Sequence, residues 1–228
     1  MVATLDKGQY ILGSEVSLLE KKLSKYVNTK FCVTCSSGTD ALLMTMMAWD
    51  IGPGDAVITT PFSYIATSEA VRLLGATPIF VDIDKDTINI CHKGIERQIK
   101  ESDGSIKAII PVHYAGLPCK MEEISKISRQ YDCFIIEDAA HALGARYEDG
   151  SMVGSCKYSD MTGFSFHPVK SIAAGEGGMI TTNSYKIYKR LLRIRSHGIN
   201  KLDDKFLDTR QAFTGELSNP WYYEMQEL

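Results

Sequence analysis

Strand-like and helix-like segments alternate along most of this 228-residue chain, and that alternation restricts its fold more than any other feature. Helical periodicity marks residues 15–26, with Val16, Leu19, Leu23 and Tyr26 on one stripe. Further helices are expected at 39–49, 65–74, 95–102, 121–131 and 184–195. Short apolar runs at 31–34, 56–59, 77–81, 108–112, 133–137, 161–165 and 178–182 read as seven strands. Strands separated by helices predict an α/β fold, a mostly parallel seven-stranded sheet with helices on both faces. Ligands of such sheets gather beyond the carboxyl ends of the strands. The loops at 36–39, 61–64 and after residue 138 all follow strands, so they are expected to face one crevice.

Bulk properties exclude several functions. The formal net charge is −3 and the pI about 6.0, which leaves no electrostatic footprint for nucleic acid or an anionic membrane. No run of eighteen apolar residues occurs, and the first residues lack the apolar core of a signal peptide, so a cytoplasmic protein is expected. Cys32 and Cys35 form a C-x-x-C, but no second such pair completes a metal site. On a strand the two point to opposite faces, so buried free thiols are expected and no metal. After residue 197 the alternation weakens, and 200–219 is polar and loop-like. The aromatic-rich stretch from Asn219 to Leu228 then stops without a closing element, which suggests a truncated chain.

The candidate chemistry centres on two residues. Lys170 lies in Phe164-Ser165-Phe166-His167-Pro168-Val169-Lys170, followed by Ser171-Ile172-Ala173-Ala174 and Gly175-Glu176-Gly177-Gly178. A lysine is usually a solvated charge, but small and apolar neighbours suggest burial, which favours a neutral, nucleophilic amine. Asp138 ends an apolar strand and begins Asp138-Ala139-Ala140-His141. It could simply cap a helix. Paired with Lys170, it also matches what pyridoxal 5'-phosphate chemistry needs, an amine for the aldehyde and a carboxylate for the pyridine nitrogen. Glu137 is expected on the other side of the strand end. His141 is either at the cofactor's edge or a structural histidine.

Ser36-Ser37-Gly38-Thr39-Asp40 opens a helix. Ser37 and Asp40 suit a capping box, while Gly38 and Thr39 offer amides for a phosphate; Ser165 is a second phosphate donor. Tyr64 is assigned to stacking on the cofactor ring, and Phe62 to core packing. Lys186, Lys189, Arg190, Arg193 and Arg195 read as a solvated helix face.

Together these motifs resemble one family. Gly8-Gln9-Tyr10-Ile11-Leu12-Gly13, residues 36–41, Gly52-Pro53-Gly54-Asp55, residues 60–67, Gly75-Ala76-Thr77-Pro78, residues 137–144, 164–170 and 175–178, and Arg195-Ser196-His197-Gly198 are similar to those of the DegT/DnrJ/EryC1/StrS sugar-nucleotide aminotransferases. The resemblance covers essentially the whole chain. It implies the aspartate aminotransferase type of fold, PLP-transferase type I. It implies that Lys170 forms the imine with pyridoxal 5'-phosphate and moves the proton, and that Asp138 pairs with the pyridinium. Tyr64 would stack on the ring, His141 lie at its edge, and Gly38, Thr39 and Ser165 hold the phosphate. The implied partners are an amino acid donor, commonly L-glutamate, and a nucleotide-linked keto sugar, in a homodimer. Some relatives are dehydratases with histidine in place of this lysine, and Lys170 argues against that branch.

Residues 164–170 look most like those of enzymes that aminate C4 of a UDP-4-keto-6-deoxy-N-acetylhexosamine for pseudaminic-acid-type glycans. The alternative is amination at C3, since the N-terminal motif is shared with enzymes acting there. The family continues with a Gly-x-Asn-Tyr-Arg segment and a small domain, and Gln226-Glu227-Leu228 ends where that segment would begin. The expected organisation is therefore an N-terminal segment at 1–12, a PLP-binding large domain at 13–198, and at 199–228 the start of the connection to an absent small domain. A fragment of this kind could also be inactive or regulatory. A dinucleotide-binding oxidoreductase is disfavoured, because no G-x-G-x-x-G follows the first strand.

Overall fold

Apolar side chains of the central strands point alternately to two sides of one sheet, and each side is closed by its own helices. The computed structural model describes residues 2–102, 104–200, 206–215, 217–219 and 221–226. The strands are β1 (Phe31–Cys35), β2 (Ala56–Thr59), β3 (Thr77–Phe80), β4 (Ile106–Ile109), β5 (Phe134–Asp138), β6 (Met161–Ser165) and β7 (Gly178–Thr182). They form a seven-stranded sheet in the order β1-β7-β6-β5-β4-β2-β3. β7 runs antiparallel to both β1 and β6, and the other pairings are parallel. The reason lies in the connection: no helix separates β6 from β7, and a parallel return would need a long crossover.

The helices are α1 (Val2–Lys7), α2 (Ser14–Val27), α3 (Gly38–Met47), α4 (Ala66–Leu73), α5 (His92–Glu101), α6 (Met121–Tyr131), α7 (Tyr185–Ile194) and α8 (Thr209–Ala212). Ile58, Ile135 and Met179 pack on one side with Leu23 of α2, Ile95 and Ile99 of α5, and Ile124 of α6. Their strand neighbours Val57, Ile136 and Ile180 pack on the other with Leu42 of α3, Val71 of α4, and Ile187 and Leu191 of α7. This period-two split is what a sheet covered on both faces requires. Among the described residues, no helix is long and apolar enough to cross a membrane.

Several expectations need correction. The α2 stripe is only half used: Leu23 and Val27 are buried, whereas Leu19 and Tyr26 are exposed. The strand expected at 108–112 is shifted to Ile106–Ile109, and the helix expected from 95 starts at His92. The polar stretch at 200–219 is not all loop. It contains α8 and a two-stranded hairpin of β8 (Phe213–Thr214) and β9 (Leu217–Ser218), although 201–205 and 216 lie outside the described residues. All six thiols are free, but Cys35 and Cys91 are only partly buried. Phe62 is not in the core; it is exposed and packs on Tyr114, with ring centroids 4.7 Å apart.

The basic run is not simply a solvated face. Arg190 grips the Asp50 carboxylate with two nitrogens at 2.9 and 2.7 Å, tying α7 to the end of α3. Arg195 reaches Glu20 of α2 at 2.5 Å, and both of those side chains are largely buried.

Candidate active site

The site forms where the carboxyl ends of the parallel strands open beneath the N-terminus of α3. Ser37 caps that helix, its hydroxyl accepting the Asp40 amide at 3.0 Å. The expected reciprocal bond differs in detail. The Asp40 carboxylate accepts from the hydroxyls of Ser36 and Ser37, at 2.5 and 2.8 Å. Helix geometry leaves the amides of Gly38 and Thr39 without an intrahelical acceptor.

Gly38 brings the helix start against the end of β6. A Cβ there would lie 2.6 Å from the Ser165 Cβ, too close for any side chain. At Gly178 a Cβ would lie 2.3 Å from the Ser37 carbonyl oxygen. Two glycines thus let the β1–α3 turn, the end of β6 and the start of β7 converge.

β5 contributes two carboxylates that face opposite ways. Asp138 is 6 % exposed and lines the cavity. Its Oδ2 accepts from the Thr67 hydroxyl at 2.7 Å, and its Oδ1 from the Ala140 amide at 3.2 Å. Glu137 is fully buried on the other side. It accepts from His113 Nε2 at 2.7 Å, Tyr147 at 2.6 Å, Ser159 at 2.5 Å and Thr162 at 3.0 Å. Burial works against its charge. The bonds from His113, Ser159 and Tyr147 outweigh that and hold the carboxyl below its ordinary range. His113 Nδ1 accepts the Cys119 amide at 3.0 Å, so the ring carries its proton at Nε2, facing Glu137.

Lys170 sits in the β6–β7 connection, shaped by bonds from the amide of Phe166 to Gly177, of Ala174 to Phe166 and of Lys170 to His167. The expected burial by its neighbours does not occur. Residues 171–176 are exposed and Lys170 is only partly buried. What holds the amine is His141, whose Nε2 lies 2.8 Å from Lys170 Nζ. Partial burial, and then the Lys170 charge, lower the His141 pKa against the opposing pull of Asp138. A neutral imidazole nitrogen can accept a hydrogen bond from the lysine amine at that atom.

Gly38, Thr39, Tyr64, Asp138, His141, Ser165 and Lys170 all line one cavity of about 460 Å³. Tyr64 is 75 % exposed at its mouth. Sequence reasoning missed Thr67, Ser63, His113, His167 and Glu176, which line the same cavity. Helical spacing could have found Thr67, one turn beyond Tyr64 at the start of α4. The place of Tyr114 could not have been found. It follows from a tight turn in which Ala115 has φ 50° and a Cβ on Gly116 would lie 2.9 Å from the His141 carbonyl oxygen.

The chain is similar to known proteins in sequence and in fold. The chain is 43 % identical over 85 % of its length to the UDP-2-acetamido-2-deoxy-3-oxo-D-glucuronate aminotransferase of Pseudomonas aeruginosa, covering 53 % of that protein. Helicobacter pylori PseC, an aminotransferase involved in pseudoaminic acid biosynthesis, superposes with a TM-score of 0.78 at 31 % identity, over 86 % of this chain and 51 % of that one. The PLP form of the sugar aminotransferase Spr1654 of Streptococcus pneumoniae, itself described as putative, superposes with a TM-score of 0.82 at 30 % identity, over 98 % and 56 %. The chain spans about half the length of the curated relatives it matches. The profile of the DegT/DnrJ/EryC1/StrS aminotransferase family matches residues 1–220, and the chain belongs to that family.

Proposed function

We propose that this chain is the cofactor-binding part of a pyridoxal 5'-phosphate-dependent aminotransferase acting on a nucleotide-linked keto sugar. The observation that carries the reading is the convergence of a lysine amine, a buried aspartate and an amide-rich helix start on one cavity. The residues present fit the cofactor: the close approach of Gly38 to Ser165 leaves room for backbone but for no side chain beside the free amides of α3. When bound, the cofactor supplies an aldehyde carbon and an electron-accepting ring. Lys170 would supply its neutral amine as the nucleophile and would later move the substrate's proton on its Nζ, with His141 Nε2 as its neighbour. Asp138 would hold the ring nitrogen's positive charge, Tyr64 would cover the ring, and Gly38, Thr39 and Ser165 would bind the phosphate.

The proposal extends to L-glutamate as donor, to a homodimer and to a cytoplasmic location. It keeps residues 13–198 as the large domain and 199–228 as the connection onward. For the sugar, residues 164–170 favour the C4 keto group of a UDP-4-keto-6-deoxy-N-acetylhexosamine. A second reading, amination at C3, is supported by the 43 % identity to an aminotransferase of a 3-oxo sugar.

The test is amino transfer by the protein that carries this chain. With cofactor, L-glutamate and the 4-keto sugar, 2-oxoglutarate and the 4-amino sugar are expected in equal amounts. Turnover of a 3-keto sugar alone would select the second reading, and turnover of neither would contradict the proposal.

A further inference from the structure

Thr67 is the one side-chain hydroxyl hydrogen-bonded to Asp138 among the described residues, and it is 1 % exposed. Its oxygen also lies 3.1 Å from the hydroxyl of Ser63. A threonine hydroxyl has a single proton. The 2.7 Å contact to a carboxylate that is itself only an acceptor takes that proton in preference to the Tyr64 carbonyl oxygen at 3.4 Å, so the Ser63 hydroxyl donates to Thr67. The result is a directed chain, Ser63 to Thr67 to Asp138. Residues 63 and 67 flank Tyr64, and the Thr67 amide donates to the Tyr64 carbonyl at 3.3 Å.

We propose that Thr67 is a positioning residue that fixes the Asp138 carboxylate toward the cofactor's ring nitrogen while anchoring the turn that carries Tyr64. The proposal rests on the reading of Asp138 as the partner of that nitrogen. A carboxylate has about four lone-pair sites. The Thr67 and Ala140 bonds occupy one on each oxygen and stop the group rotating, leaving acceptor capacity for the cavity. Thr67 itself need not touch the cofactor, and its effect passes through Asp138.

The experiment measures binding, not turnover. Dissociation constants for pyridoxal 5'-phosphate and for its 1-deaza analogue, with carbon in place of the ring nitrogen, are read by protein fluorescence in the wild type, Thr67→Val and Thr67→Ser. Valine keeps the shape and removes the hydroxyl, serine keeps the hydroxyl, and circular dichroism checks folding of each. Thr67→Ala replaces Thr67→Val if the latter fails to fold. The hydroxyl-deleted variant is expected to bind pyridoxal phosphate about tenfold more weakly and the analogue within twofold of wild type, in line with a hydrogen bond to a charged group. Thr67→Ser should restore wild-type binding. Equal weakening of both ligands, or of neither, would overturn the positioning role. A wild type that binds the two ligands equally would instead overturn the reading of Asp138, and the proposal with it.

Discussion

The Nζ of Lys170 lies 2.8 Å from the Nε2 of His141, so the amine in the β6–β7 connection is held by the turn that follows β5. The His141 pKa is lowered, first by partial burial and then by the Lys170 charge. A histidine whose folded value lies below its unfolded one contributes stability that is fully present above about pH 6.5 and is lost as pH falls toward the folded midpoint. The thermal unfolding midpoint should therefore fall as the pH drops below about 6.5, and His141→Gln should flatten that slope. An NMR titration should place the His141 midpoint below 6.5, with Lys170→Ala moving it upward; no movement would contradict the contact.

Glu137 shares β5 with Asp138 but serves the fold. With four donors on a fully buried carboxylate, Glu137→Ala would strand the His113, Tyr147, Ser159 and Thr162 groups. Denaturant unfolding should show a loss of about 3–5 kcal/mol. A loss under about 1 kcal/mol would mean that the network is not intact in solution.

Gly38→Ala should be costly for a different reason. Its Cβ would meet the Ser165 Cβ at 2.6 Å, so α3 or β6 must move. The expected destabilisation is about 1–3 kcal/mol, typical of overpacking. Shortening the neighbour with Ser165→Gly in the same chain should recover much of it, and denaturant titration of the three variants checks the coupling. Strictly additive losses would contradict the close approach.

The pattern of strands and helices was legible because buried strands and amphipathic helices differ in period, and seven strands were read at or near their observed places. The direction of β7 was not, since nothing in Gly178–Thr182 itself distinguishes a parallel from an antiparallel neighbour. The candidate site was legible in Lys170, Asp138 and the Ser37–Gly38 turn, because loops that follow the strands of such a sheet face one crevice, and these residues line one cavity. Its supporting contacts were not. Thr67 and His113 lie 71 and 24 residues from the carboxylates they bond, and only the folded chain brings them there. The exposed flank of Lys170 also ran against the sequence, where small and apolar neighbours suggested burial.

The central claim is that Lys170 is the amine of a pyridoxal phosphate site. The most direct measurement is borohydride reduction of the protein mixed with pyridoxal 5'-phosphate, followed by peptide mapping. A single stable adduct on Lys170 is expected, absent in a folded Lys170→Ala variant. An adduct on another lysine, or a visible spectrum unchanged by the substitution, would contradict the account.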